Sequence, residues 1–222
     1  MTAPFPSTGR HVLLAGATGL VGREILALLL ADAAVAQVHT VGRRPPAKTH
    51  AKLRHHVSDL RSVPSLPPLD AAFIALGTTI KVAGSQEAFR AVDHDAVLAV
   101  ARAAQAAGAQ RLGVVSAMGA DAKSRIFYNR VKGEAEDALA ALGFASLVIA
   151  RPSLLIGDRA ALDQPVRTGE GIGALVSAAL RPLIPANYRA IRVEHVAQAL
   201  VGAVNRAAPG RTVLLSGRMQ PR

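Results

Sequence analysis

Tyr128 and Lys132 are four residues apart in Tyr128-Asn129-Arg130-Val131-Lys132, and on a helix that spacing sets both side chains on one face. A free phenol titrates at about 10, too high for a proton shuttle at neutral pH. A neighbouring ammonium favours the phenolate. Such a pair can donate a proton to a carbonyl oxygen or remove one from an alcohol. Ser116, in Val114-Val115-Ser116-Ala117-Met118, follows an apolar run and offers a hydroxyl that could align the same oxygen. A Tyr-x-x-x-Lys spacing is also met as a surface Tyr over a Lys stem. Its weight here comes from Ser116 and from a glycine-rich turn earlier in the chain.

That turn is Gly16-Ala17-Thr18-Gly19-Leu20-Val21-Gly22, a GxxGxxG pattern directly after an apolar strand-like run and at the start of a helical one. Gly16 can make a tight turn, Gly19 has no side chain to block a pyrophosphate, and Gly22 lets the helix lie close to the strand. The helix start then offers free N–H groups and the positive end of the helix dipole to phosphates. Glycines also serve ordinary turns, but strand, turn and helix occur here in the order a dinucleotide site requires. Gly169-Glu170-Gly171-Ile172-Gly173 lacks a preceding strand and reads as a loop.

The second strand-like run ends in Val41-Gly42-Arg43-Arg44-Pro45. An NAD site would place an acid near this tip, on the ribose hydroxyls. Two arginines stand there instead, and a guanidinium can meet a 2′-phosphate with paired, charge-assisted hydrogen bonds. The expectation is therefore NADP(H) in preference to NAD(H), which still fits. Asp59 could accept a hydrogen bond from an adenine amino group, or it caps a turn.

Other candidates are weaker. His55 and His56 are adjacent on a strand and point to opposite faces. No His pair has metal-ligand spacing with carboxylates, so no metal is expected. Glu134, Glu136 and Asp137 read as a solvated helix face. There is no G-x-S-x-G elbow and no H-E-x-x-H helix.

The elements that must position these residues alternate along the chain. Strands are expected at 11–15, 37–41, 53–57, 71–76, 112–115, 146–150 and 212–215. Helices are expected at 19–30, 86–107, 128–142 and 193–207, the second stopped by Gly108 and the third by Gly143. Strands such as VLLA, FIAL and LVIA are apolar throughout, as in a parallel sheet covered on both faces. The fold class is α/β, a single Rossmann-type, doubly wound parallel sheet with helices on both faces. Residues 58–69, with three prolines, form a loop rather than a boundary. One domain spans 1–222, with a looser substrate side at about 157–190.

Composition sets limits. Half of the 222 residues are hydrophobic and only 3% are aromatic, so the core is built from Ala, Val, Leu and Ile. The absence of Cys excludes disulfides, thiolate metal sites and Cys nucleophiles. The formal net charge of +11 suits an anionic cofactor, but the arginines are scattered and not interleaved with aromatics, so no specific nucleic acid is expected. The longest apolar run, about 25–36, is broken by Asp32 and too short to span a bilayer. Residues 1–9 do not look like a signal peptide. These features predict a soluble, cytoplasmic protein with a small-molecule substrate and no membrane partner.

Three stretches carry a family resemblance: LGTTIK with the following AGSQEAFRAVDHD, then SAMGADAKSRIFYNRVKGEAE, then RPSLLIG. With the glycine turn they resemble the short-chain dehydrogenase/reductase superfamily. Within it the chain is similar to the atypical branch of Tat-interacting oxidoreductase-like proteins and their bacterial relatives, over about 12–204. The resemblance implies an NADP(H) site at Gly16, Thr18, Gly19, Leu20, Val21, Arg43, Asp59, Leu76, Gly77 and Thr78. It implies a catalytic set of Ser116, Tyr128 and Lys132, with Pro152 and Leu155 near the nicotinamide. The activity expected is hydride transfer between the cofactor and a carbonyl/alcohol pair. The alternatives are an NADPH-binding sensor with little turnover and a sugar-nucleotide epimerase or dehydratase. The chain is short for the last of these.

Overall fold

The computed structural model describes residues 9–157 and 185–221. Seven strands form one sheet in which every pairing is parallel. They are β1 (Arg10–Ala15), β2 (Val35–Gly42), β3 (Leu53–Val57), β4 (Ala71–Ile74), β5 (Arg111–Val115), β6 (Ser146–Arg151) and, last in the chain, β9 (Gly210–Leu215). Their order is β3-β2-β1-β4-β5-β6-β9, so the direction of winding reverses between β1 and β4. Ligands bind outside the carboxyl ends of the strands at such a switch point. Short strands β7 (Leu155–Ile156) and β8 (Ile191–Arg192) pair separately, again in parallel.

The helices divide between the two faces because alternate residues of each strand point opposite ways. On one face, Val12 and Leu14 of β1 pack with Ile25 and Leu29 of α1 (Leu20–Ala31) and with Val196 and Leu200 of a late helix, Val193–Arg206. On the other, Leu13 and Ala15 join Ile74 of β4, Val97 and Ala101 of the helix Val97–Ala106, and Leu139 of the helix Phe127–Ala141. Gly113 of β5 shows how close the layers lie: a Cβ there would come within 2.7 Å of Val204.

The expected strands and helices are all present, with shifted ends. β2 begins at Val35 and β4 stops at Ile74. The helix expected at 86–107 is interrupted. It runs as α3 (Gln86–Arg90), a π-helical turn at Ala91–Ala96, and α4 (Val97–Ala106), preceded by a four-residue helix, α2 (Ile80–Ala83). Gly108 and Gly143 take positive φ, +95° and +76°, just beyond α4 and the next helix, α5 (Phe127–Ala141). That is the left-handed conformation that ends helices and that Gly adopts without strain. The late helix Val193–Arg206 is α6, and Ser216–Met219 is α7. Most of the region expected on the substrate side, and the Gly169–Gly173 stretch within it, lies outside the described residues.

His55 and His56 do face opposite sides of β3. Nδ1 of His55 lies 3.0 Å from Oγ1 of Thr40, whereas Nε2 of His56 lies 3.0 Å from Nδ1 of His39. His39 is buried, and burial together with the nearby His56, His11 and Arg54 lowers its pKa to about 4.

Candidate functional site

The glycine turn is built as its spacing requires. Gly16 has φ +85°, and a Cβ on it would lie 2.4 Å from the carbonyl oxygen of Ala75, beyond β4. Gly22 sits against the turn so closely that a Cβ would fall 1.9 Å from the Gly16 oxygen. Gly19 caps α1 without a side chain, and its N–H donates to the Gly16 carbonyl at 3.0 Å. No side chain caps the start of α1, so its first N–H groups are left for another partner. Val21 turns its side chain into the core, so only its backbone could serve a ligand, while Leu20 is half-buried at the core's edge.

A cleft of about 110 Å³ opens beside this turn, at the carboxyl ends of β1, β2 and β3. It gathers five of the expected cofactor residues, Gly16, Thr18, Arg43, Arg44 and Leu76. It also includes Thr40, Pro46 and Leu60, which sequence reasoning did not single out, and His55, named there only as a weaker candidate. Both arginines are exposed at the tip. Asp59 is exposed next to the cleft and does not line it; its Oδ1 accepts the backbone N–H of Arg61 at 2.9 Å, the turn-capping alternative. A glycine cradle that admits no Cβ at Gly16 or Gly22, beside a cleft with two guanidinium groups, fits a dinucleotide phosphate.

Two more of the expected cofactor residues, Gly77 and Thr78, lie beside Lys132 and Asp93 at the switch point. Gly77 follows β4 by three residues, and a Cβ on it would lie 3.5 Å from Oδ1 of Asp93 and 3.8 Å from Nζ of Lys132. The N–H of Thr78 donates to Oδ2 of Asp93 at 2.9 Å. Asp93 projects from the π turn and is 1% exposed; its Oδ1 has the Lys132 ammonium at 2.7 Å, as an ion pair. Burial holds the Asp93 carboxyl above the usual carboxylate range, against the pull of Lys132 and the Thr78 N–H. Tyr128 packs its ring on Phe89, centroids 5.2 Å apart. Burial raises its pKa, Lys132 lowers it, and Asp93 raises it again.

Ser116 lies just past β5 and lines the same small void as Lys132 and Asp93, but its hydroxyl points away from solvent. It donates to Oε1 of Glu136 at 2.6 Å. Glu136 is 2% exposed and is held by Arg151 of β6, through both oxygens at 2.6–3.2 Å, and by Arg211 of β9 at 2.9 Å. The expectation of a solvated face is therefore corrected for Glu136. It lies four residues beyond Lys132, on the inner face of α5, and buries its charge against two arginines from the neighbouring strands. Glu134 does sit at the surface with Arg90 and Arg130, and Asp137 is exposed beside Arg211.

Pro152 is buried, with its carbonyl accepting the Met118 N–H at 2.9 Å, and this ties the end of β6 to the segment after Ser116. Leu155, on β7, packs at the edge of the core. Among the described residues no group of His, Asp or Glu could hold a metal ion. Among the same residues no helix is long and apolar enough to cross a membrane.

Comparison with known proteins places this arrangement in a family. The model of the family described as NAD(P)H-binding matches residues 16–207. "Protein fmp52, mitochondrial" of Emericella nidulans is 41% identical over 180 residues, covering 77% of this chain and 76% of the relative. The protein of the same name from Aspergillus fumigatus is 42% identical over 159 residues, covering 67% and 68%. An oxidoreductase of the short-chain dehydrogenase/reductase family from Burkholderia thailandensis superposes with a TM-score of 0.71 at 18% identity, covering 96% of this chain and 94% of its own. MoeE5 in complex with UDP-glucose and NAD superposes at 0.69 with 21% identity, covering 92% and 75%. At these identities the structures show a shared fold and nothing finer. The relatives' names overturn the expectation of a cytoplasmic protein: they are mitochondrial. That expectation had rested on the lack of a membrane-spanning run and on residues 1–9 not looking like a signal peptide, and no feature of the fold encodes a compartment. The chain belongs to the NAD(P)H-binding family, with the sheet and helices of the short-chain dehydrogenases/reductases.

Proposed function

We propose that this protein is an NADP(H)-dependent oxidoreductase that interconverts a small carbonyl compound and its alcohol. The observation that carries the reading is the place of Lys132 on α5, four residues beyond Tyr128, with its Nζ 3.8 Å from where a Cβ on Gly77 would stand. The cofactor, when bound, supplies or accepts a hydride. Tyr128 holds its proton at neutral pH and serves as the acid that protonates a carbonyl oxygen. Lys132 tunes that phenol and stands where it can reach the cofactor ribose. The turn at 16–22 binds the pyrophosphate, with Thr18, Leu20 and Val21 contributing backbone or hydroxyl groups. Arg43 and Arg44 take the 2′-phosphate, and Pro152 and Leu155 border the nicotinamide side. The partner is a small-molecule substrate, and a mitochondrial compartment, as in the relatives' names, is where to look for it.

One observation favours a second reading, an NADPH-binding sensor: the Ser116 proton is committed to Glu136, so Ser116 can accept a hydrogen bond from a substrate but not donate one. Substrate-dependent NADPH oxidation across a panel of carbonyl compounds separates the two. Turnover of any member, abolished in the Tyr128→Phe variant, supports the enzyme. Tight NADPH binding with no turnover across the panel supports the sensor.

A further inference from the structure

His55 stands on β3 opposite Thr40 of β2, two residues before the end of each strand. Both line the cleft that also carries Arg43 and Arg44. Thr40 is buried, and its Oγ1 lies 3.0 Å from Nδ1 of His55 and 3.5 Å from the Arg54 carbonyl oxygen. One edge of the imidazole is thereby fixed. The other nitrogen, Nε2, is shut off from water and has no hydrogen-bond partner among the described residues. Buried polar atoms nearly always have a partner, so an orphan on a ring that lines a cleft marks a place where one is missing. We propose that His55 is a specificity-determining residue for the cofactor: on binding, its Nε2–H donates to the 2′-phosphate of NADP(H), beside Arg43 and Arg44. The proposal rests on the reading of this cleft as the adenosine end of an NADP(H) site.

Thr40 is compatible with a proton on Nε2 in two arrangements. When its hydroxyl donates to Nδ1, the single proton of the neutral ring sits on Nε2. When the hydroxyl donates to the Arg54 carbonyl, it can accept from Nδ1–H, and a charged ring then has Nε2–H left over. What is missing is therefore an acceptor. The protein does not supply a carboxylate for it: the ionisable side chains lining the cleft are Arg43, Arg44 and His55, and no acid lines it. Such surroundings favour an entering anion, and hydrogen bonds to an ionised partner are roughly twice as strong as neutral ones. Position separates the 2′-phosphate from the pyrophosphate. The pyrophosphate belongs to the turn at 16–22, which follows β1, whereas His55 lies two strands away in the sheet, beside the end of β2 where the arginines follow.

The test needs no substrate and no turnover. Adenosine 2′,5′-bisphosphate and adenosine 5′-monophosphate differ only in the 2′-phosphate, so the ratio of their affinities isolates that group. The bisphosphate should bind the unmodified protein more tightly. His55→Phe keeps a ring and removes both nitrogens. Calorimetry should show the ratio fall by roughly tenfold, with the monophosphate affinity nearly unchanged. His55→Gln, whose amide nitrogen can stand near the place of Nε2, should recover most of the loss, which a role in packing alone would not do. An unchanged ratio in a folded His55→Phe protein, whether both affinities hold or both fall, overturns the proposal. If circular dichroism shows that the variant has lost its fold, the unmodified protein still decides. In isotope-labelled protein the His55 Nε2 resonance should move on adding the bisphosphate and stay in place on adding the monophosphate; equal movement with both, or none with either, overturns the proposal. Failure of the underlying reading looks different, because the unmodified protein would then bind the two nucleotides equally. A large ratio that persists in His55→Phe leaves the NADP(H) reading standing on Arg43 and Arg44 alone.

Discussion

The hydroxyl of Ser116 donates to the carboxylate of Glu136 at 2.6 Å, and that carboxylate is shared with Arg151 and Arg211. The end of β5 is thereby pinned to α5, β6 and β9 through one buried acid. Two substitutions should separate its parts. Glu136→Gln leaves two arginines without their counter-charge and should cost about 3–5 kcal/mol of stability. Ser116→Ala removes one hydrogen bond from a carboxylate that keeps its other partners, and should cost about 1–2 kcal/mol. Urea unfolding of both variants checks the order; equal losses would show that the arginines do not depend on Glu136.

The glycines of the first turn should separate by role. Gly22→Ala places a methyl 1.9 Å from the Gly16 oxygen, so α1 must shift, at a cost of about 1–3 kcal/mol or more. At Gly19 a Cβ would lie 3.3 Å from the same oxygen, close but tolerable with a small adjustment. Gly19→Val should keep a native circular dichroism spectrum and lose NADPH binding in calorimetry. Native affinity in a folded Gly19→Val protein would make this a structural turn only.

Arg43 and Arg44 stand where an NAD site would carry an acid. NADPH should bind more tightly than NADH, and Arg43→Ala should weaken NADPH by roughly tenfold while leaving NADH nearly unchanged. Calorimetric titration with both cofactors decides this. Equal affinities in the unmodified protein would contradict it.

His39 predicts the response to acid. Its pKa is about 4 in the folded protein against 6.5 for a free imidazole, so the folded state holds fewer protons. Stability from this group is fully present above about 6.5 and is lost as the pH falls from there through 4. Between pH 7 and pH 5 the loss is about 2 kcal/mol. The thermal midpoint should drop over that interval by roughly 4–8 °C more in the unmodified protein than in His39→Gln. Parallel curves for the two proteins would show that His39 does not carry the effect.

Much of this was legible in the sequence because it is local. The apolar runs gave the strands, Gly108 and Gly143 ended helices, and the spacing of Gly16, Gly19 and Gly22 fixed the turn. Glu136 was equally within reach, since the step of four that joins Tyr128 to Lys132 continues to it. Composition pointed the other way, because three acids within four residues look solvated. Its two arginine partners come from β6 and β9, which only the sheet brings alongside. Asp93 was hidden for a similar reason. Nothing in AVDHDA announces a π turn, and the partner that explains a buried acid there is 39 residues further on, in α5. Asp59 kept two readings in the sequence; in the structure its Oδ1 accepts the Arg61 N–H while the carboxylate stays exposed.

The central claim is that Tyr128 moves the proton. Tyr128→Phe removes only the hydroxyl and keeps the ring on Phe89. On a carbonyl substrate found by screening, its turnover should fall by roughly 10²–10⁴, as expected for lost general acid catalysis, with NADPH affinity nearly intact. Full turnover by Tyr128→Phe on that substrate would contradict the account.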